Sequence, residues 1–277
     1  MRKTIDLHTH STASDGTLTP RQLVRHAKEC GLSAIALTDH DTIDGIEDAL
    51  DEAALIGFEV IPGIEISVDY QTEMHILGYF FDNDYLNVEP ALDELRRSRE
   101  ERNPKIVNNL NRLGFSISME EVKKEAQGEI VARPHIASVL YKKGYVKSIR
   151  EAFDKYLSVG KPAYCQRKKL APEKGLKLIS EAGGIPVLAH PIYLHLGYNQ
   201  LDSLIYKLKK AGLAGIEAYY SDNSKEDTRK LLKLAQKHEL LVTGGSDFHG
   251  DFKTDIRIGT GRGGLCIPYE LLEKLKS

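Results

Sequence analysis

Ile5-Asp6-Leu7-His8-Thr9-His10 stands at the start of this chain, and Gly245-Ser246-Asp247-Phe248-His249 answers it near the other end. The first stretch reads as a buried strand. Side chains two apart on a strand share a face, so His8 and His10 project together into one pocket. Asp247 and His249 repeat the arrangement. Two distant segments, each with two ligands at i and i+2, thus read as two walls of one metal site. Imidazole and carboxylate without thiolate suit zinc, manganese or iron.

Between these walls, apolar β-rich runs alternate with helical patterns. Strands are expected near 3–7, 34–38, 58–68, 74–80, 185–189, 214–218 and 240–244. Helices are expected near 20–30, 45–56, 172–182, 200–211, 224–238 and 268–276. The first helix follows Thr19-Pro20, a cap followed by Pro at the first helical position. Alternation with short connections argues a parallel sheet with outer helices. His8, Asp39, Glu65, His190 and Asp247 fall at or just after strand ends, the face where a closed α/β barrel builds its active site. An open doubly wound sheet fits less well, because no Gly-rich phosphate loop follows the first strand.

Residues 85–160 break the rhythm. They are charged and helical, with three or four helices and no strand between them. The expected organisation is an α/β barrel over 1–84 and 161–277, with a helical insertion over 85–160 capping the active site. The Arg/Glu run at 96–102 reads as a solvated helix face.

A chain of 277 residues can bury a core of this size. Its net charge of −2 and pI near 6.6 give no global drive toward nucleic acid or membrane, though a local basic pocket remains open. No apolar run approaches the roughly 20 residues that span a bilayer. The start is polar, without the apolar region of a secretory signal. Cys30, Cys165 and Cys266 form neither a zinc spacing nor a disulfide framework, which fits free thiols in a reducing cytoplasm.

The remaining candidates lie at the strand ends. Leu37-Thr38-Asp39-His40-Asp41 supplies a ligand, His40, with Asp39 as the partner that orients an imidazole or as a cap. Asp15 sits in a tight Ser14-Asp15-Gly16 loop, as a ligand or a turn residue. Glu65 lies inside an apolar strand, where a carboxylate is costly unless paired or metal-bound. His75 opens a strand, and His190 closes one before Pro191. Arg133-Pro134-His135 marks a helix N-terminus, whose free N–H groups attract anions, and Arg adds a bidentate phosphate fork. His26 and His238 read as exposed helix residues, and His195 is left ambiguous.

With these motifs in view, the sequence resembles the PHP (polymerase and histidinol phosphatase) family of metal-dependent phosphoesterases. Asp6-Leu-His8-Thr-His10, Leu37-Thr-Asp-His40-Asp41, Pro62-Gly-Ile-Glu65, His75-Ile-Leu-Gly, His190-Pro191 and Gly245-Ser-Asp247-Phe-His249 carry the resemblance in family order. It implies a distorted (β/α)7 barrel, TIM-like, with two or three divalent metals at the strand C-terminal ends. Manganese is the first choice, with zinc or iron open. It implies that His8, His10, Glu65 and Asp247 hold one metal. Asp15, His40 and His249 hold a second, and Glu65, His75 and His190 a third. The Ser-Asp-Gly loop, the insertion and Arg133-Pro-His135 look most like the branch that removes the 3′-phosphate of adenosine 3′,5′-bisphosphate. Arg133 and His135 would bind that phosphate, and Arg133, His135 and Asp39 would serve the chemistry.

Two other activities stay open: 5′–3′ trimming of short RNA, with Arg167-Lys168-Lys169 lining an open groove, and histidinol-phosphate hydrolysis. A non-catalytic binding domain would lack ligands that are all present here. Tyr164, Arg167 and Tyr193 are candidates for ring stacking or phosphate contact. The expected partner is a small nucleotide or short RNA; no membrane or obligate protein partner is implied, and the expected location is cytoplasmic.

Overall fold

Every residue of the strand β2 (Ala34–Leu37) is apolar and every one is buried, as a strand covered on both faces must be. It lies inside an eight-stranded sheet that curls into a nearly closed barrel. The computed structural model describes residues 3–126 and 130–277. Residues 1–2 and 127–129, which the expected barrel and insertion ranges include, lie outside the described residues.

In chain order the elements are β1 (Thr4–Thr9), α1 (Pro20–Glu29), β2, α2 (Ile46–Ile56), β3 (Glu59–Val68) and β4 (Met74–Tyr79). The helices α3 (Glu89–Arg112), α4 (Met119–Ala126), α5 (Arg133–Lys142), α6 (Ile149–Ala152) and α7 (Pro172–Glu181) follow. The rest are β5 (Ile185–Leu188), α8 (Tyr198–Lys210), β6 (Gly215–Tyr220), α9 (Lys225–Lys237), β7 (Leu241–Gly245), β8 (Ile267–Pro268) and α10 (Glu270–Lys276). The sheet order is β7-β6-β5-β4-β3-β2-β1-β8. All seven expected strands form, and β8 adds a short antiparallel edge to β1.

The expectation of a parallel sheet needs one correction. β4 runs antiparallel to both β3 and β5. Residues 69–73 alone join β3 to β4, and a parallel return needs a crossover of a dozen or more residues. The reversal matters for the site. His75 lies at the start of β4, yet it arrives at the rim where the other strands end.

At that rim the barrel closes. Asp247 N donates to His8 O at 2.9 Å, and His10 N donates to Phe248 O at 3.0 Å. Ile5, Leu7, Ala36, Leu77, Tyr79 and Val187 belong to one buried cluster, in which Tyr79 donates to Leu7 O at 2.9 Å. Ile106, Leu110, Val122, Ile136, Leu140 and Leu157 form a separate apolar cluster within the helical stretch.

Gly245 permits the closure. A Cβ there would fall 2.1 Å from His8 Cβ and 2.5 Å from His8 N. Gly245→Ala is therefore expected to force β7 away from β1 at His8, at a cost of about 1–3 kcal/mol. Chemical denaturation and the metal content of purified protein check this; unchanged values of both would show that the strands have room.

Candidate metal centre

Glu65 is the hub of the rim. β3 carries it inward, 1% exposed. Its Oε1 lies 2.7 Å from His75 Nδ1 and 2.8 Å from His190 Nε2. Its Oε2 lies 3.2 Å from His8 Nε2, 3.2 Å from His10 Nε2 and 3.1 Å from His40 Nδ1. Asp247 Oδ1 is 3.3 Å from His10 Nε2, 3.6 Å from His8 Nε2 and 3.3 Å from His249 Nδ1. Asp15 Oδ1 is 3.4 Å from His249 Nε2 and 3.9 Å from His10 Nδ1. The structure thus brings all nine expected ligand residues into one cluster.

Three overlapping sets place their ligand atoms within 4.8 Å of one another: His8, His10, Glu65 and Asp247; His10, Asp15, His40 and His249; and His40, Glu65 and His75. His10 joins the second set and His40 the third, beyond the sets implied by sequence. His190 reaches the cluster through Glu65.

These residues fit divalent cations. His8 Nε2, His10 Nδ1 and Nε2, His40 Nδ1 and Glu65 Oε2 are buried and make no hydrogen bond. Buried polar atoms are almost always paired. Atoms only about 3 Å apart that still lack hydrogen-bond geometry face shared points rather than one another. Burial works against charge on Glu65, but His40, His75 and His8 hold its carboxyl well below the usual range. Burial likewise opposes a proton on His10, yet the Asp247 and Glu65 carboxylates pull it up to about 9. At His40 burial outweighs the Glu65 and Asp15 carboxylates and pushes it down to about 3.

Local backbone geometry sets these positions. Asp41, His190 and Asp247 have positive φ, at 54°, 27° and 57°. Such conformations persist only where the surroundings impose them. Glu217 does so at His190: its Oε2 accepts from His190 N at 2.7 Å. Its Oε1 lies 2.9 Å from His8 Nδ1, which leaves Nε2 as the ligand atom. Asp6 accepts from Ser246 N at 2.8 Å and Gly259 N at 2.7 Å, and so pins β1 to the segment before Asp247. Tyr220 donates to Asp247 Oδ2 at 2.7 Å, and Lys253 Nζ reaches the same oxygen at 2.6 Å.

Sequence reasoning missed Glu217, Tyr220 and Lys253. Glu217 carries the same signal as Glu65, a lone carboxylate inside an apolar strand. Glu217→Gln keeps the shape but removes the charge that fixes His8. Metal affinity is expected to fall roughly 10–100-fold. A metal titration checks it, and an unchanged affinity would leave Glu217 a packing residue.

Of the two places expected for Asp39, beside an imidazole or as a cap, its hydrogen bonds are those of a cap. Its carboxylate accepts from Ser11 N at 2.8 Å, Ser11 Oγ at 2.6 Å and Ser14 Oγ at 2.5 Å. It therefore holds the loop that carries Asp15. Gly16 completes that loop, since a Cβ there would meet His10 O at 2.4 Å. His26 and His238 are half-buried and His195 is exposed, all outside the cluster. His238 pairs with Asp202 at 2.6 Å.

The Arg/Glu run is not wholly a solvated face. Arg99 and Arg102 are 7% and 5% exposed. They lie three apart on α3 and share its buried side with Ser98, Asn103 and Ile106. Arg99 Nε lies 3.1 Å from Asp41 Oδ2, next to His40 of the cluster. Within Arg167-Lys168-Lys169, Arg167 is buried and Lys168 exposed, and both line an open cavity beside α3. Arg167 Nη2 lies 2.7 Å from Asp41 Oδ2, and Lys168 pairs with Glu94. Lys169 is half-buried, and burial followed by repulsion from Arg167 pulls it down to about 8.

Arg133 and His135 begin α5, as expected. Arg133 donates to Leu157 O at 3.2 Å, and its guanidinium lies 5.7 Å and 5.9 Å from the Phe153 and Tyr164 ring centres. His135 Nδ1 accepts from Ala132 N at 3.0 Å, so its proton sits on Nε2, which is buried and unpartnered. The His135 ring lies 5.6 Å from Phe252, three residues past His249 of the cluster. Tyr193 donates to Asp222, and its ring lies 5.2 Å from that of His190 at a tilt of 52°.

Residues 6–185 match the PHP domain. The chain belongs to the PHP domain family. It is 36% identical to a 5′-3′ exoribonuclease of Haemophilus influenzae, over 90% of this chain and 91% of that one. It is 34% identical to a 3′,5′-nucleoside bisphosphate phosphatase of Chromobacterium violaceum, over 88% of this chain and 87% of that one. A solved amidohydrolase of C. violaceum, with bound sulfate and no metal, superposes with a TM-score of 0.88 at 32% identity, covering 99% and 96% of the two chains. This PHP protein is a metal-dependent phosphoesterase. No helix among its described residues is long and apolar enough to cross a membrane.

Proposed function

We propose that this protein hydrolyses the 3′-phosphate of nucleoside 3′,5′-bisphosphates, adenosine 3′,5′-bisphosphate among them, to leave the 5′-monophosphate. One observation carries the reading. Four arginines, Arg99, Arg102, Arg133 and Arg167, lie close enough to repel one another, and Asp41, next to His40, pairs with two of them. That surplus suits a substrate with more than one phosphate. The C. violaceum phosphatase, similar over nearly its whole length, supports it.

In this reading His8, His10, Glu65 and Asp247 hold one cation, Asp15, His40 and His249 a second, and Glu65, His75 and His190 a third. Manganese is the first choice, with zinc or iron next. Divalent cations held there supply hydroxide near neutral pH and neutralise phosphoryl charge. Arg133 offers a fork to the equatorial phosphoryl oxygens, already aimed by Leu157 O and two aromatic rings. His135 presents its Nε2 proton to the phosphate or to the departing ribose oxygen. Asp39 acts through the Ser11–Ser14 loop, by holding Asp15 in place. The helices of 85–160 serve as the cap, gripping the rim through Arg99 on one side and His135 on the other.

The 36% identical exoribonuclease favours a second reading, 5′–3′ trimming of short RNA by the same centre. Phosphate release by manganese-loaded protein separates the two. Adenosine 3′,5′-bisphosphate is expected to exceed 3′-AMP, 5′-AMP and histidinol phosphate. Equal rates on 3′-AMP would sink the bisphosphate reading. Preferred release of mononucleotide from a 5′-phosphorylated trinucleotide would establish the second reading.

A further inference from the structure

A cavity of about 620 Å3 opens beside α3. Arg97, Arg102, Lys105, Gln166, Arg167 and Lys168 line it, and none of the nine cluster residues does. Two of its cations are at least nine-tenths buried. Arg102 is 5% exposed and Arg167 is 9% exposed. Arg102 makes one hydrogen bond among the described residues, from Nε to Asn103 Oδ1 at 2.9 Å. Arg167 gives Nη2 to Asp41 Oδ2 at 2.7 Å, while its Nη1 is buried with no partner. Acids on the rim do not supply the missing charge. Glu94 is paired with Lys168, and Glu101 stands exposed.

Burying a guanidinium without a counter-charge is unfavourable, and Arg does not escape by losing its proton. Burial first, then repulsion from Arg99, Arg133 and Arg167, press Arg102 well below its ordinary range. A bound anion removes that penalty. The planar fork of Arg fits phosphate oxygens two at a time. The volume falls in the ~300–1,000 Å3 range of small-molecule sites, so the anion can be part of a larger molecule.

We propose that this cavity is a second phosphate-binding site, in which Arg102 and Arg167 hold a phosphate group other than the one being hydrolysed. The site itself stands without the bisphosphate reading. Only the assignment of its occupant as the substrate's own second phosphate rests on that reading. Arg167 links the two places, since the Asp41 that it holds adjoins His40.

Calorimetric titration of inorganic phosphate into manganese-loaded protein tests the site. Wild-type protein is expected to bind phosphate at the cavity as well as at the metal centre. Arg102→Met removes a buried charge that has no counter-charge, at similar volume, so the fold is expected to persist. The cavity event should weaken roughly tenfold or more, as expected for loss of a charge-assisted hydrogen bond. Asp247→Asn, which disables the metal centre, should retain the cavity event. Lys105→Met, on the exposed rim, serves if the Arg102 variant does not fold, and should weaken the same event less. Phosphate isotherms that match wild type in both cavity variants would overturn the proposal.

Kinetics then distinguish the occupants. If the substrate's second phosphate binds there, Arg102→Met raises KM for the 3′,5′-bisphosphate several-fold more than KM for the 3′-monophosphate. If free phosphate is the occupant, the cavity event is lost while the two KM values move in parallel.

Discussion

Glu65→Gln is expected to strip the centre of its cations and to lower phosphate release by on the order of 10⁴-fold, or ~5.5 kcal/mol at 1.36 kcal/mol per decade. The size follows from where Glu65 stands. Five imidazoles approach its two oxygens within 3.2 Å. It belongs to two of the three ligand sets, so one substitution damages both. Gln keeps the shape and one oxygen but loses the charge that offsets a divalent cation. It also offers an N–H₂ to histidines whose free nitrogens must accept, not donate, when they hold a metal. Fold is not the source of the loss. β3 keeps its ladder to β4, and the barrel's apolar cluster does not include Glu65. The check is metal content by elemental analysis together with turnover, beside a circular dichroism spectrum. A folded variant that retains full metal content would sink the hub role. Chelation of wild-type protein should reproduce the same loss, reversibly on adding manganese back.

The cluster at the rim was legible in the sequence because strands convert spacing into direction. His8 and His10, or Asp247 and His249, could share a face only if their segments were strands, and the apolar flanks said that they were. Lone carboxylates in apolar runs carry the same information, and Glu217 shows that this signal was stronger than the reading made of it. What stayed hidden depends on partners far along the chain. Arg99 and Arg102 have the composition of a solvated helix, and only the meeting of α3 with Asp41 buries them. Arg167 reaches the same carboxylate from elsewhere, which turns the first cation of the 167–169 run inward as an ion pair. The direction of β4 was a local matter: the short 69–73 connection already forbade a parallel return. Asp39 was quoted for its neighbour His40, yet it spends its hydrogen bonds on Ser11 and Ser14, a contact that closes across two strand ends.

Arg133→Ala is expected to slow turnover by roughly 10²–10³-fold, as expected when a preorganised donor aimed at developing charge, worth about 2–4 kcal/mol, is removed. Preorganisation is the reason for the upper part of that range. Leu157 O and the Phe153 and Tyr164 rings already hold the guanidinium, so little side-chain freedom remains to be lost when phosphate binds. The loss should fall mainly on kcat, because the charge that Arg133 meets grows as the reaction proceeds. Arg133→Lys separates charge from geometry. It keeps the cation but loses the fork, so it should recover only part of the rate. Stability argues in the opposite direction from activity. Arg133 repels Arg102 and Arg167, so its removal relieves both. The lost cation–π contacts amount to about 0.5–1 kcal/mol each at most for such a half-exposed group. A variant that is nearly as stable as wild type and yet slow would be the signature of a residue kept for its substrate. A wild-type rate would show that the helix end binds no reacting phosphate and leave Arg133 as a brace between α5 and Leu157.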